Sequence, residues 1–355
     1  MPTPAIPVAV LGATGMVGQR LVQLLDGHPW FRVVALTGSE RSAGRTYAEA
    51  ATWLLDTPLP AWAASLPVLP TTAAAVAQSG ARLAFSALPA SVARQVEPAL
   101  AAAGVWVCSN ASAFRREPDV PLLMPEVNPQ HIRLVETQRA RRGWPAAIIT
   151  NPNCSTTGLV APLKALHDAF GVTHAVVVTL QALSGAGYPG VPALAIADNV
   201  IPYIANEEDK IEWEPRKLLG MLDDEGVRLA DITLSASVHR VPVTDGHLLS
   251  VSLRTARPVS PAEAREALAA YAPPPETADL PSTPRPVLLV REEPDRPQPR
   301  LDRLTGRGMT TVVGRVRPDP VLGLKLEILS HNTVRGAAGG ALYNGEWLAR
   351  FLGWA

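Results

Sequence analysis

The sequence predicts an α/β protein of two domains: an amino-terminal doubly wound parallel sheet, then an α+β domain with a mixed sheet. Three observations carry this. Apolar runs at 8–11, 32–36, 82–86 and 105–108 alternate with segments of helical apolar spacing, the pattern of βα units. The first run ends in a turn with glycines at 12, 15 and 18 that opens a helix. Beyond residue 173 the pattern changes to strand-like runs at 174–181, 232–240, 248–254, 286–290, 309–315 and 321–329 with few helices between, which suits a half-exposed mixed or antiparallel sheet.

The glycine turn is spaced G-x-x-G-x-x-G, looser than the strict dinucleotide fingerprint, but the physical roles survive. Glycine permits a tight turn and close backbone approach, and the helix that follows presents its N-terminus to a pyrophosphate. On a Rossmann-like reading, Gly12, Thr14, Gly15, Met16 and Val17 contact a cofactor; the alternative is a glycine-rich helix start without a ligand. The second strand ends in Ser39, Arg41 and Ser42, with Glu40 the only acid. Hydroxyls and a guanidinium suit a ribose 2′-phosphate, favouring NADP over NAD, against the reading of a solvated polar loop. Residues 46–69 show no period and are expected to be a loop with short elements. The exits after 82–86 and 105–108 share the carboxyl edge with the glycine turn, which places Ser86 and Leu88 beside the cofactor.

The chemistry centres on NPNCSTTG at 151–158, between an apolar run at 146–149 and a helical pattern at 159–170. Pro152 fixes its own φ and biases Asn151 away from the helical region, so a turn is forced. Ser155, Thr156 and Thr157 are candidate caps, and Cys154 falls at a helix N-terminus, where the dipole favours thiolate. A buried apolar cysteine is the bland alternative; the polar, turn-forming neighbours reverse it. A nucleophile needs a base and a substrate clamp. His247 and Arg240 flank one turn, the first able to relay protons and the second to grip a carboxylate in a bidentate pair, although an isolated histidine after a turn is more often a surface residue. Gln181 closes a strand before a loop with Ser184 and Gly185, either a ligand contact or an ordinary glycine turn. The run from Glu207 to Lys210 reads by itself as a solvated charge cluster, and Arg115 as either a surface charge or a phosphoryl clamp.

The boundaries follow: residues 1–152 bind the dinucleotide, completed by a C-terminal helix at 332–355, and 153–331 form the catalytic domain. A helix is expected at 261–271 and another at 336–351, with connections at 273–285 and 291–308. The 47% hydrophobic content implies a large core, and Lys plus Arg equals Asp plus Glu at 32 each, so no overall field points to nucleic acid or an anionic membrane. Two cysteines argue against a disulfide framework, and no Cys/His cluster has metal-ligand spacing. The amino-terminal stretch lacks a basic region and a long apolar run, and no apolar stretch reaches spanning length, so a cytoplasmic protein is expected.

GATGMVGQ, SERSAG, NPNCSTTG, SGAGYPG, HRVPVTDGH and NTVRGAAGG occur in an order and spacing that resemble the aspartate-β-semialdehyde dehydrogenase family, in its archaeal and fungal-like branch, over nearly the whole chain. The resemblance implies that Cys154 is the acyl-thioester nucleophile, His247 the acid/base, Gln181 a substrate-positioning group and Arg240 the carboxylate ligand. It implies substrate-site roles for Glu207, Lys210 and Asn153, a phosphate-binding role for Arg115, and a late cofactor contact at Asn332. The reaction implied is NADP-dependent reductive dephosphorylation of 4-aspartyl phosphate to aspartate semialdehyde, on the route to lysine, threonine, methionine and isoleucine, by a homodimer or homotetramer. Malonyl-CoA reductases share this machinery on another acyl donor, and an inactive NADP-binding partner is the rival of a different class. N-acetylglutamyl phosphate reductases resemble it less, with glycine usual where Asn153 stands.

Overall fold

The computed structural model describes residues 5–223 and 226–355; Met1 to Pro4, part of the stretch expected to lead straight into a strand, lie outside the described residues. Six strands, β1 (Ile6–Leu11), β2 (Phe31–Gly38), β3 (Val68–Pro70), β4 (Leu83–Ser86), β5 (Trp106–Ser109) and β6 (Ile148–Thr150), form a wholly parallel sheet in the order β3-β2-β1-β4-β5-β6. The order reverses at β1 and β4, which makes their carboxyl ends the crevice where ligands bind in such sheets. Helices α1 (Met16–Leu24), α2 (Ala90–Ala102) and α3 (Leu134–Arg142) complete the βα units. The continuous apolar runs become strands buried on both faces: Val8, Ala9, Val10 and Leu11 are all fully buried.

Within 46–69, β3 is the element that the sequence pattern did not show. It is three residues long, too short to express a period, and its Pro70 sits on the sheet edge, where a missing N–H costs little.

The second sheet has the order β10-β7-β11-β14-β13-β12, built from β7 (Val172–Gln181), β10 (Thr233–Arg240), β11 (His247–Thr255), β12 (Leu288–Val290), β13 (Thr311–Asp319) and β14 (Gly323–Ser330). It is mixed: β7 with β10 and β12 with β13 are parallel, the remaining pairs antiparallel. A separate antiparallel pair joins β8 (Met221–Asp223) to β9 (Gly226–Arg228). Helix α4 (Cys154–Phe170) lies on one face, with Leu159, Leu163 and Leu166 in the same core as Leu249 and Val251. The opposite face leaves Val176 and Leu180 exposed. Helix α5 (Glu207–Leu218) stands where the sequence reading saw only a charge run; Ile211 and Leu218 anchor it in the core. Helix α6 (Pro261–Ala269) starts with a capping box from Ser260 and Glu263. The chain ends with a wide π-turn at Val334–Ala338 and α7 (Gly339–Phe351), which returns to β4 and β5 of the first sheet.

Gly12 takes φ +69°, and α1 crosses so close to the turn that a Cβ on Gly18 would lie 2.2 Å from the Gly12 carbonyl oxygen and 2.7 Å from Ala13 Cα. At Gly15 the nearest such contact is an ordinary 3.5 Å. Gly18→Ala is therefore expected to destabilise the protein by about 1–3 kcal/mol, the usual cost of overpacking, while Gly15→Ala leaves thermal stability nearly unchanged. Equal melting shifts for the two variants would contradict this packing account.

Candidate active site

Cys154 opens α4, and the turn before it is held from several sides. Asn153 is the cap: its Oδ1 accepts from the N–H groups of Ser155 (2.9 Å) and Thr156 (3.3 Å). Capping was expected from Ser155, Thr156 and Thr157, but the helix begins at Cys154, so these three lie inside it, and Thr157 Oγ1 donates back to the Asn153 carbonyl (3.0 Å). The Asn153 N–H donates to Glu214 Oε2 (2.6 Å). Asn151 Nδ2 donates to Asn110 Oδ1 (2.9 Å) and the Ala337 carbonyl (3.0 Å), and Asn344 Nδ2 donates to Asn151 Oδ1 (2.7 Å). Gly336 backs the nucleophile so closely that a Cβ there would lie 2.7 Å from Cys154 Cβ.

His247, at the start of β11, places Nε2 3.2 Å from Cys154 Sγ and is fully buried, not a surface residue. Its Nδ1 accepts from the Ala182 N–H (3.0 Å), and the Ala182 carbonyl accepts from Arg240 (2.6 Å). One residue, Ala182, directly after β7, therefore fixes the imidazole through its N–H and the guanidinium through its carbonyl. Gln181, just before it, is buried with Nε2 donating to Thr179 Oγ1 (3.2 Å) and reaching Glu207 Oε2 at 3.4 Å.

Cys154, Gln181 and Arg240 line a cleft of about 440 Å³ together with Val17, Leu88 and Arg115 of the first domain, and His247 lies buried behind Cys154. Asn153, Ser184, Gly185, Glu207, Lys210 and Asn332 also line the cleft. Asn332 ties the loop after β7 to the histidine turn, accepting from the Gly246 N–H and donating to Ser184 Oγ, both at 2.8 Å. Gly12, Thr14, Gly15 and Met16 form the turn and the start of α1 beside this cleft, and Ser39, Arg41 and Ser42 follow β2; none of these lines the cleft itself. Ser86 is buried under the sheet edge and acts there through its carbonyl, which accepts from both the backbone and side-chain nitrogens of Asn110 at 2.9 Å.

The first domain fits a dinucleotide. Helix α1 has no side-chain cap and no acid in its first turn, which leaves its leading N–H groups to a pyrophosphate. Arg41 is exposed and, among the described residues, pairs with no carboxylate, so its guanidinium is available to a 2′-phosphate.

One face of α5 serves the site throughout. Glu207 accepts from Lys210 Nζ (2.6 Å) and from Asn153 Nδ2 (2.8 Å). Two turns on, Glu214 Oε1 accepts from Arg115 (2.8 Å), so one carboxylate joins that arginine to the nucleophile's turn. Lys217 Nζ then donates to the carbonyls of Arg115 (2.8 Å), Glu117 (2.8 Å) and Val120 (2.9 Å). Arg115 is buried at the cleft wall, whereas Arg116 is exposed on Asp209. Sequence reasoning missed Glu214 and Lys217. The signal was present: both lie seven residues beyond the charged pair already singled out, and the segment is acidic in its first turn and basic in its last, a helix pattern.

The electrostatics overturn one expectation. Burial pushes the Cys154 thiol up to about 12, Glu207 adds to this, and Arg115, Lys210 and Arg240 oppose it. Against the expected pull of the helix N-terminus, the Ser155 and Thr156 N–H groups are spent on Asn153, and desolvation is the largest influence on the thiol although Cys154 is only half-buried. Burial, then Arg240 and His331, lowers His247 to about 3. Both shifts run toward the uncharged forms, a thiol beside a neutral imidazole. Cys108 is fully buried, and burial, then Glu97, pushes it up as well. Glu207→Gln removes the main negative charge raising the Cys154 thiol, so its pKa should fall and its alkylation quicken, about tenfold per unit. Rates measured with iodoacetamide at fixed pH check this; an unchanged or slower rate contradicts the charge balance.

Comparison with known proteins agrees with this geometry. Residues 7–135 match the semialdehyde dehydrogenase NAD-binding domain family and residues 163–335 the semialdehyde dehydrogenase dimerisation domain family. The aspartate-semialdehyde dehydrogenase of Archaeoglobus fulgidus is 52% identical over 343 residues, covering 97% of this chain and 98% of the relative. The Schizosaccharomyces pombe enzyme of the same name is 43% identical, covering 96% of each chain. Among solved structures, the Candida albicans aspartate semialdehyde dehydrogenase with NADP superposes with a TM-score of 0.89 at 42% identity, covering 97% of this chain and 98% of that one. Aspartate semialdehyde dehydrogenase II of Vibrio cholerae complexed with ASA gives 0.76 at 28% identity, covering 98% of each. The chain belongs to the aspartate-semialdehyde dehydrogenase family.

Proposed function

We propose that the protein catalyses NADP-dependent reductive dephosphorylation of 4-aspartyl phosphate to L-aspartate 4-semialdehyde through a thioester on Cys154, a step of amino-acid biosynthesis. The observation that carries this reading is the Cys154–His247 contact at 3.2 Å at the wall of a cleft that Cys154 lines together with Arg240 and Arg115. Sulfur suits both half-reactions, since it attacks well and leaves well. In the first, a C–S bond forms at the acyl carbon, the C–O bond breaks, and phosphate departs with the electron pair. NADPH, when bound, supplies hydride to the resulting thioester. The tetrahedral alkoxide then re-forms its C=O bond as the C–S bond breaks and the electron pair returns to sulfur.

Arg240 grips the substrate carboxylate, Gln181 and Asn153 orient the acyl group, Glu207 and Lys210 form a charged pair beside it, and Arg115 receives the phosphate. His247 partners the sulfur. With two leading N–H groups of α4 held by Asn153, the N–H of Cys154 itself is the helix-start donor left for the oxyanion. The turn at Gly12, Thr14, Gly15, Met16 and Val17 holds the pyrophosphate, and Ser39, Arg41 and Ser42 the 2′-phosphate. Ser86 supports this edge, where Leu88, Ser184, Gly185 and Asn332 meet the nicotinamide half. Residues 1–152 with 332–355 act as the cofactor domain and 153–331 as the catalytic and assembly domain.

Assembly as a homodimer or homotetramer is supported by the open face of the second sheet, where Val176 and Leu180 are 45% and 37% exposed. No helix among the described residues is long and apolar enough to cross a membrane, and a cytoplasmic place fits a biosynthetic dehydrogenase.

The test is phosphate-dependent NADP reduction with aspartate semialdehyde, run beside malonyl-CoA-dependent NADPH oxidation. The first reaction should proceed and the second should not. Arg115→Ala should raise the phosphate KM by about tenfold or more, the scale of one lost charge-assisted contact, while a single-turnover burst of NADPH survives. Normal phosphate saturation in that variant would remove the phosphate site, and turnover of the CoA thioester would replace the acyl donor.

A further inference from the structure

We infer that Glu97, buried beneath the exits of β4 and β5, is a positioning residue for the cleft and works as an un-ionised carboxylic acid that fixes the turn leaving β5. Glu97 lies on α2 and is fully buried. Ser86 and Ser109 end β4 and β5 opposite one another in the sheet register, and both are fully buried. Ser109 Oγ accepts from the Ala111 N–H (3.1 Å) and donates its own proton to Glu97 Oε1 (2.6 Å). The Ser86 hydroxyl lies beside the same carboxyl. Among the described residues, Ser86 Oγ and Glu97 Oε2 have no other partner.

A charge at Glu97 would have no cation to pair with. The elements packed most closely on α2 are the helix Ala73–Gln78, β5, β6 and the turn Ser112–Phe114, and none of them carries a charged residue. Neither does β4. The titratable group on these elements is the Cys108 thiol, itself pushed up by burial and then by Glu97. Arg94, one turn earlier on α2, is exposed, and Arg115, beyond the turn, is taken up by Glu214 and the Asn110 carbonyl. A buried carboxylate without a cation is disfavoured, and hydroxyl donors offset only part of that cost. Desolvation, against the bonds from Ser109 and Ser86, pushes the Glu97 carboxyl up to about 7.

The turn that Glu97 steadies is tied to several parts of the site. The Ser109 carbonyl accepts from the Asn151 N–H (2.8 Å). Asn110 Nδ2 donates to the Ser86 carbonyl (2.9 Å), its Oδ1 accepts from Asn151 Nδ2 (2.9 Å), and its carbonyl accepts from Arg115 (2.8 Å). Asn110 and Ser112 line the cleft beyond β5, and Ala87, Leu88 and Pro89 line it beyond β4. A carboxylate beneath Ser109 would draw in water or part the two strand ends, and either would move these groups together. The consequence for the cofactor rests on the function proposed above: un-ionised Glu97 keeps the edge that meets NADP in place, and its ionisation weakens NADP binding. Because the folded value lies above the ordinary one, the stability contributed by the neutral form is complete below the ordinary carboxyl range and is lost as the pH rises through about 7.

Glu97→Gln tests this in the full-length protein, since an amide keeps the volume, accepts from Ser109 and cannot ionise. Hydrogen exchange of the segment 109–115, followed by mass spectrometry without cofactor, should match in wild type and variant at pH 6. At pH 8.5 the wild type should exchange faster by about threefold or more, the scale of one lost hydrogen bond. The NADP KM should follow the same course, equal at pH 6 and higher in the wild type by a similar factor at pH 8.5, with kcat little changed. The cofactor's own titration is common to both proteins and cancels in the ratio. Ser109→Ala breaks the link at any pH and should raise the NADP KM about threefold to tenfold already at pH 6. Equal exchange in wild type and Glu97→Gln at both pH values overturns the un-ionised acid. An exchange difference with the same NADP KM, or an unchanged KM in Ser109→Ala, overturns the positioning role. A wild type that neither binds nor reduces NADP refutes the proposed function, and the exchange comparison still decides on Glu97.

Discussion

The contact between Cys154 Sγ and His247 Nε2 joins residues 93 positions apart in sequence, and the packing of the molecule serves to hold its two ends still. One end depends on the first sheet and the C-terminal helix, since Asn151 is bonded to Asn110 after β5, to Ala337 before α7 and to Asn344 within it. The other depends on the second sheet, because β11 pairs with β7 in a register that sets Leu248 opposite Leu180 and so brings His247 beside Ala182. The C-terminal return of the chain is therefore part of the site: Ala337 and Asn344 supply two of the three bonds that hold the Asn151 side chain.

The charges around this contact oppose one another, and desolvation is the largest influence on the thiol. Arg115, Lys210 and Arg240 favour a thiolate, Glu207 opposes it, and Lys210 is itself engaged by Glu207 at 2.6 Å. Arg115 is likewise matched by Glu214. Buried charges that are paired and bonded in this way are tolerable in a low dielectric, and removing either partner leaves the other uncompensated. The walls of the cleft are thus built from matched pairs, Glu207 with Lys210 and Glu214 with Arg115.

The fold was legible where local pattern and burial agree. Continuous apolar runs such as 8–11 and 82–86 gave strands because a parallel sheet is covered on both sides, and NPNC gave a turn because Pro152 leaves the backbone no helical route. The three-residue β3 had no room for a period, and α5 was hidden because a helix lying along a polar site carries charges on its inner face. Among site residues, those in turns were found through their motifs. Glu214 and Lys217 were not, since their roles come from bonds to Arg115 and Asn153, which lie 99 and 61 residues away from Glu214, and no local spacing records such contacts. At Cys154 the helix N-terminus is visible in sequence, whereas the desolvation of the thiol and the charge of Glu207 near it are not.

The central claim is that Cys154 carries the acyl group. Peptide mass spectrometry of the protein after incubation with aspartate semialdehyde and NADP, without phosphate, tests it directly. The account predicts an aspartyl adduct on the peptide containing Cys154, formed with one equivalent of NADPH, absent from Cys108 and released when phosphate is added. Continued NADP reduction with Cys154 unmodified throughout would contradict it.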